Sequence, residues 1–462
     1  MRHISIRTTA TSVVCVFVVA CTDVMSPSTP APIVKSVVPD TTEAGSILLH
    51  VVLNEPATVN VDYWTDDNQR LRLQVAQLAS DGAILLPDVR AGKQYQFAVS
   101  AQTAGGAASP SLSGVIQTPA LPPSLQQEQI IATGTSGSAL TMLEINGPYR
   151  GFVAIDGAGY PVWRWATQGS PQGFTQRANG NFVFLDAGYG LFEVTPEGQV
   201  VHQLDPLPGG ARVPHHDVVA TPQNTLLFLA QQPTSATDTA LVGDAIWEWS
   251  PENGTVVQRW SAFDFFDPAV DVGPRSLHYD WVHANSLAIG NHGNVILSLN
   301  WLDKVVSIAP DWKSLEWTAG GRNSTFAFDS GGTFQGQHAA STLPNGDLLL
   351  FDNGRDRTAA DRYSRGLELS LDRTGGRAHV VWSFQPTPSI YAPYIGSARR
   401  LPNGNSLVFF GLRSGVSGST GPVTGYEVSP SGAVVWQVSV TNVLAVYRAT
   451  PLATIAGEVV LH

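Results

Sequence analysis

The sequence predicts an all-β protein: a propeller of about six blades preceded by a small β-sandwich. Three observations point there. Similar units recur roughly every 30–55 residues, each reading as about four strands, which is the signature of a repeat architecture. The turns between apolar runs are of Asn-Gly type, as at Asn179-Gly180, Asn345-Gly346 and Asn403-Gly404. Such pairs supply the positive φ that a two-residue hairpin turn needs. No stretch carries a long apolar period of 3.6, so no long helix competes with the strands.

The elements follow in chain order. Arg2 and Arg7 precede a short apolar run at 13–20, too short to span a bilayer and fitting an export leader. Val18-Val19-Ala20-Cys21 resembles a bacterial lipobox. That would place cleavage before Cys21 and a lipid on its sulfur, anchoring the chain to a membrane. An exported lipoprotein is expected, at the periplasmic face of the outer membrane or at the cell surface; an ordinary cleaved signal peptide is the alternative. The other cysteine, Cys15, lies in the leader, so the mature chain would hold no disulfide and no thiolate metal site. Residues 21–31 read as a Ser/Pro/Thr tether. Residues 32–119 read as a sandwich, with strands at 34–38, 46–52, 58–64, 83–86, 94–101 and 114–118. Leu86-Pro87 followed by Tyr95-Gln96-Phe97-Ala98-Val99 resembles a fibronectin type III domain, with Tyr95 as its corner tyrosine. Such a domain serves as a spacer or a dimerisation element, which leaves a homodimer open. A linker at 120–127 leads to the propeller, 128–462.

The first blade spans 139–165, and the tail, 447–462, is expected to add a strand to it and so hide two sheet edges. Residues 174–205 and 397–440 share a pattern of Asn-Gly-Asn, then Glu193 or Glu427 within an apolar run. Trp163, Trp247, Trp260, Trp317, Trp382 and Trp436 fall at or near blade ends, where a large ring fills the wedge between blades.

Composition narrows the function. The net charge is −11 and 14% of residues are charged, so the chain lacks the basic face that nucleic acid requires. A small anion remains an admissible substrate, because a local cationic pocket can sit in an acidic protein. No Gly-rich phosphate loop opens a helix, and no cofactor is expected.

Three histidines carry the chemistry. His216, His283 and His338 each open a strand-like run that ends in a turn. Counting back seven from the turns at Gln223, His292 and Asn345 reaches His216, Asn285 and His338. One phase in successive repeats means one place in successive blades, so these side chains should converge on the propeller axis. His215 should point to the opposite face, since extended residues alternate. A three-histidine zinc site is the competing reading, without a HExxH motif or an acidic cluster to accompany it. The run Arg355-Asp356-Arg357 reads as a charged loop that could serve as a lid or anion funnel, and Tyr391 and Tyr394 as rings able to stack an aryl group.

The ordered set His215-His216-Asp217, Asp280-Trp281-Val282-His283-Ala284-Asn285-Ser286, Gly336-Gln337-His338 with Asp352-Asn353-Gly354, and Gly396-Ser397-Ala398-Arg399-Arg400 resembles the bacterial arylsulfotransferase family. The resemblance runs from about residue 128 to the C-terminus. It implies a propeller enzyme that moves a sulfuryl group from an aryl sulfate to a phenolic acceptor without a nucleotide donor. His338 stands where the family has its transiently sulfated nucleophile. His216, His283 and Asn285 stand at acid–base and sulfate-binding positions. The family also has an arginine 17 to 18 residues after the second histidine, where this chain has Asn300-Trp301; Arg399 and Arg400 are the candidate replacements for binding substrate. The alternatives are a non-catalytic surface propeller binding a small anionic or aromatic ligand, and a structural lipoprotein built for protein contacts.

Overall fold

The computed structural model describes residues 31–66, 70–205, 214–234, 241–277, 279–358, 362–412 and 422–455. The leader, Cys21 and the tether up to residue 30 lie outside the described residues.

Residues 34–117 form two antiparallel sheets. One orders Val34–Thr41, Ile47–Leu53 and Asp81–Leu86; the other orders Leu71–Leu78, Ala57–Trp64, Gln94–Gln102 and Leu112–Gln117. Their strands alternate buried and exposed residues, the pattern of sheets with one face on a core. Ile47, Leu49 and Val51 of one sheet meet Val59, Val61 and Phe97 of the other, so the pair is a sandwich. The Tyr95 hydroxyl accepts a hydrogen bond from the Arg90 backbone N–H at 2.9 Å. The strand Leu71–Leu78 was not among the expected ones; its Arg, Gln and Ala residues dilute the apolar alternation that marks the others.

Six sheets of four or five strands follow. Their inner strands are Ala445–Leu452, Pro171–Gln176, Pro214–Ala220, Ala284–Ile289, His338–Thr342 and Ser397–Arg400. Each touches the inner strands of the two adjacent sheets, the sixth beside the first included. The tail strand Ala445–Leu452 pairs with Leu140–Asn146 of the first blade, in keeping with the expected place of the tail. One pairing was not foreseen: Ile130–Gly134 adds an outer strand to the sixth blade, against Val434–Val440. Both ends of this region are thereby hydrogen-bonded into a neighbour from the far end of the chain.

The tryptophans couple blade to blade. Trp163 Nε1 donates to the Pro196 carbonyl at 2.7 Å, and Trp436 Nε1 to the Gly157 carbonyl at 2.7 Å. Both rings are buried. The hairpin turns hold a second recurring device. Glu193 in the second blade is fully buried and accepts from Asn179, Asn181 and Arg177. Glu427 does the same for Asn403 and Asn405 in the sixth. A buried carboxylate is tolerated because its lone pairs are filled.

Candidate active site

The shared histidine phase has a structural cause. Five of the six inner strands carry an irregularity at one level: around Gly173, at His216-Asp217, at Asn285, at Ala339-Ala340 and at Tyr447-Arg448. A bulge adds unpaired residues and re-aims side chains, and such bulges concentrate beside active sites. His216, His283 and Ala339 have φ of 62°, 49° and 52°, in the left-handed region that non-glycine residues rarely adopt. The bulge also overturns the expected divergence of His215 and His216. Their rings meet edge to face at 4.9 Å between centroids, with the two Nδ1 atoms 2.7 Å apart. His215 Nε2 lies 3.1 Å from Asp244 Oδ1, close but poorly aligned for a hydrogen bond.

The structure brings the three expected histidines together. The His216 and His283 rings lie 4.7 Å apart, and His216 and His338 both pack against Tyr447, at 6.0 and 6.5 Å. His338 is 6% exposed. Its Nδ1 lies 2.8 Å from Asn353 Oδ1 and 3.2 Å from the Gly336 carbonyl. Asn353 Nδ2 donates to the Ala392 and Ile395 carbonyls, which fixes the amide with its oxygen toward the ring. Both neighbours of Nδ1 are acceptors, so Nδ1 carries the proton and Nε2 the free lone pair. Burial, reinforced by His283 and Arg448, pushes the His338 pKa down to about 3, against the pull of Asn353 and Gly336. The ring is neutral at pH 7. Burial also lowers His216 well below the ordinary histidine value, with His283, His215, His338 and Arg448 adding to it.

His283 has a different partner. Its Nδ1 lies 2.6 Å from Asp280 Oδ2, the same oxygen that accepts from Trp301 Nε1 at 2.8 Å. The Trp301 ring in turn lies along His283, centroids 4.3 Å apart at 30°. One carboxylate therefore fixes both rings and leaves His283 Nε2 for other work.

Arg448 and Tyr447 stand beneath these groups, and neither was expected. Arg448 is 2% exposed. It donates to Asp217 Oδ1 at 2.7 Å and to the Asn285 carbonyl at 3.1 Å. Burial works against its charge, but Asp217, Tyr447 and Glu144 outweigh it and keep the guanidinium protonated. The Tyr447 hydroxyl donates to the Asn285 carbonyl at 3.4 Å. Asn285 itself is fully buried; its Nδ2 donates to the Gln337 carbonyl at 2.8 Å, and its Oδ1 has no partner among the described residues. A sulfate oxygen can only accept, so the second Nδ2 hydrogen is the side-chain group there suited to one. Asn300 also donates to the Gln337 carbonyl, at 3.1 Å. It secures the backbone beside His338 and adds no charge.

The two candidate arginines part company, as successive strand residues do. Arg399 lies near enough to Arg448, Asp217 and Glu144 to feel their charges, and burial lowers its pKa to about 10, still protonated at pH 7. Arg400 is turned away. It pairs with Glu368, donates to the Gly404 carbonyl at 3.2 Å and lies toward Trp382. The expectation that Arg400 binds substrate is therefore corrected: a carboxylate already holds its fork, away from the histidines.

Glu144, fully buried and raised by that burial to about 7, accepts from the Gly173 N–H at 3.1 Å through Oε2 and leaves Oε1 without a partner among the described residues. No group of three or more His, Cys, Asp or Glu among the described residues is arranged to hold a metal ion. No helix among them is long and apolar enough to cross a membrane.

Residues 128–448 match the family model described as Arylsulfotransferase (ASST). No curated protein matches the chain significantly. Among solved structures, the chain is similar to virginiamycin B lyase from Staphylococcus aureus at 13% identity, covering 77% of this chain and 93% of that one, with a TM-score of 0.36. It is similar to AztD from Citrobacter koseri at 10% identity, over 85% and 98% of the two chains, with a TM-score of 0.36.

Proposed function

The chain belongs to the arylsulfotransferase family, and from that premise we propose that it transfers a sulfuryl group from an aryl sulfate to a phenol through a sulfated His338. The observation that carries this reading is the pinned ring of His338: neutral, protonated on Nδ1 so that the lone pair falls on Nε2, and near enough to His216 and His283 for their charges to act on one another.

In the first step His338 Nε2 attacks sulfur, the N–S bond forms and the S–O bond to the aryl group breaks. The electron pair leaves on the phenoxide, whose phenol has a pKa of about 10, so protonation by His283 speeds its departure. Asp280 holds His283 for that exchange. The sulfated ring gains positive character, which Asn353 Oδ1 and the Gly336 carbonyl stabilise by accepting the Nδ1 proton's hydrogen bond. In the second step the acceptor phenol gives its proton to His283 and its oxygen attacks sulfur. The N–S bond breaks and its electron pair returns to Nε2. Splitting one transfer into two in-line displacements is ordinary covalent catalysis. Arg448, Arg399 and the Asn285 amide supply the positive field for the spread charge on the sulfuryl oxygens.

The flanking regions carry lesser proposals. The two facing sheets at 34–117 and the hydrogen bond to the Tyr95 hydroxyl support a fibronectin type III-like spacer. Arg90, paired with Asp156 at 2.8 Å, would hold that spacer against the first blade. Lipidation at Cys21 predicts incorporation of labelled fatty acid that Cys21→Ser abolishes. The reaction itself is tested by nitrophenol release from p-nitrophenyl sulfate in the presence of phenol; lines parallel in double-reciprocal form support a ping-pong route, and intersecting lines oppose it.

A further inference from the structure

Near the histidines, one arginine meets aromatic rings and no carboxylate among the described residues. Three arginines surround Trp301 and the loop after Gly354. Arg275 is paired with Asp303 and Asp356, and Arg357 with Asp352. Arg355 has neither an ion pair nor a side-chain hydrogen bond among the described residues. Its guanidinium lies between two rings, 4.6 Å from the Trp301 centroid and 4.3 Å from that of Tyr394. Tyr394 is 45% exposed, so the stack is open to solvent on one side.

The stack is built into the active-site wall. Trp301 is the ring that lies along His283 and shares Asp280 with it. The stem of Arg355 crosses Gly336 so closely that a Cβ there would sit 3.1 Å from the Arg355 Cβ. Gly336 has φ of 59°, and its carbonyl accepts from His338. Gly354 N–H donates to the Gln335 carbonyl at 3.0 Å, which anchors the loop on the segment that leads into the strand beginning at His338. Arg355 thus borders the supports of both His283 and His338.

We propose, resting on the aryl-sulfate reading above, that Arg355, Trp301 and Tyr394 are the capture site of the sulfate donor. The guanidinium takes the sulfate oxygens, and the aryl ring takes the space between Trp301 and Tyr394 that the guanidinium fills here. The exchange is favourable on both sides. A guanidinium held only by ring faces leaves its five N–H donors without protein acceptors, and a bidentate bond to an anion is stronger than a solvent-exposed cation–π contact. An aryl ring is planar, as the guanidinium is, so it can stack in the same gap. The charge lost where Asn300 stands is in this way supplied from the next blade. Trp301 and Tyr394 would set the preference for aryl over alkyl sulfates.

The test is calorimetric titration of the full chain carrying His338→Ala, which cannot turn over, with p-nitrophenyl sulfate and separately with inorganic sulfate. Arg355→Gln is expected to weaken both ligands at least tenfold. Tyr394→Ala is expected to weaken p-nitrophenyl sulfate about fivefold and leave inorganic sulfate within twofold. Sulfate affinity unchanged by Arg355→Gln overturns the proposal, as does equal weakening of both ligands by Tyr394→Ala, which a merely structural strap would give. Absence of binding by the parent also overturns it. Should Arg355→Gln not fold, Arg355→Lys serves: it keeps the charge without the planar fork and should weaken both ligands threefold or more, while unchanged binding by that variant overturns the site. These readouts need no turnover. A chain that binds donor through Arg355 yet forms no sulfohistidine sinks the reaction and keeps the capture site; the converse sinks the capture site alone.

Discussion

The two ends of the inner strands are built on opposite principles. At the turn end, buried carboxylates have their lone pairs filled. Glu193 and Glu427 are filled by asparagines and Arg177, and the turns use glycine where φ is positive, as at Gly346 with φ of 90°. At the bulged end, histidines take left-handed φ and their rings crowd one another. A fully buried Asn285 oxygen lacks a partner there among the described residues, and the Arg355 guanidinium meets only aromatic rings among them. The contrast teaches where stability and chemistry are kept. The strands are fixed by their turns, and that rigidity supports the strained, partly unsatisfied end.

The largest effect that tests this contrast is loss of the nucleophile. His338→Ala should lower kcat for aryl sulfate by at least about 10³-fold while the protein stays folded, since covalent catalysis is removed. The mirror experiment lies at the turn end. Arg177→Leu strands Glu193, whose side chain is fully buried. It should cost about 3 kcal/mol of stability, read by urea unfolding, and leave kcat unchanged. A fall in kcat with no loss of stability would break the division between the two ends.

Asp280 offers a finer test. Asp280→Asn removes the carboxylate that fixes His283 and Trp301. An acid matters most for a poor leaving group, so the loss should be about 30-fold with phenyl sulfate and only about threefold with p-nitrophenyl sulfate. Equal losses would mean that Asp280 only shapes the pocket.

Acid should tell the ends apart as well. His338 is held at about 3, below its ordinary value near 6.5. The unfolded chain therefore takes up a proton near 6.5 that the folded ring refuses until about 3. Stability contributed by the neutral ring is present above 6.5 and is lost as pH falls through that window, by about 1.4 kcal/mol per pH unit. His338→Ala should show a shallower decline of unfolding free energy between pH 6 and 4. An unchanged slope would mean that the ring protonates freely. The smallest expected effect is at a turn: Gly346→Ala, at positive φ with open space around its Cβ, should cost about 1 kcal/mol of stability and no activity.

Much of the propeller was legible because it rests on local rules. Asn-Gly turns, apolar runs and tryptophans report hairpins and wedges directly, and the tail strand follows from the need to cover an edge. The convergence of His216, Asn285 and His338 was legible through their spacing from the turns, and His283 lies two residues before that phase. Their supports were not. A bulge is a property of register between two strands, so nothing in His215-His216-Asp217 announces that both rings will meet. Arg448 reaches Asp217 across 231 residues of sequence, and a lone arginine in a tail strand gives no sign of it. Asn353 stood in the sequence only as part of the Asp352-Asn353-Gly354 motif, yet it sets the His338 tautomer; the signal was its place just after the strand paired with His338. Arg400 failed because charge alone does not say which face of a strand a residue occupies, whereas Arg399, one residue earlier, lies near Arg448.

The central claim is the sulfated His338, and rapid quench at neutral to alkaline pH followed by intact mass and peptide mapping tests it most directly. After brief exposure to p-nitrophenyl sulfate, the account predicts one labile sulfuryl adduct on the His338 peptide, absent in His338→Ala and discharged by added phenol. A folded protein that binds the donor and releases nitrophenol with no such adduct, or with the adduct elsewhere, would contradict it.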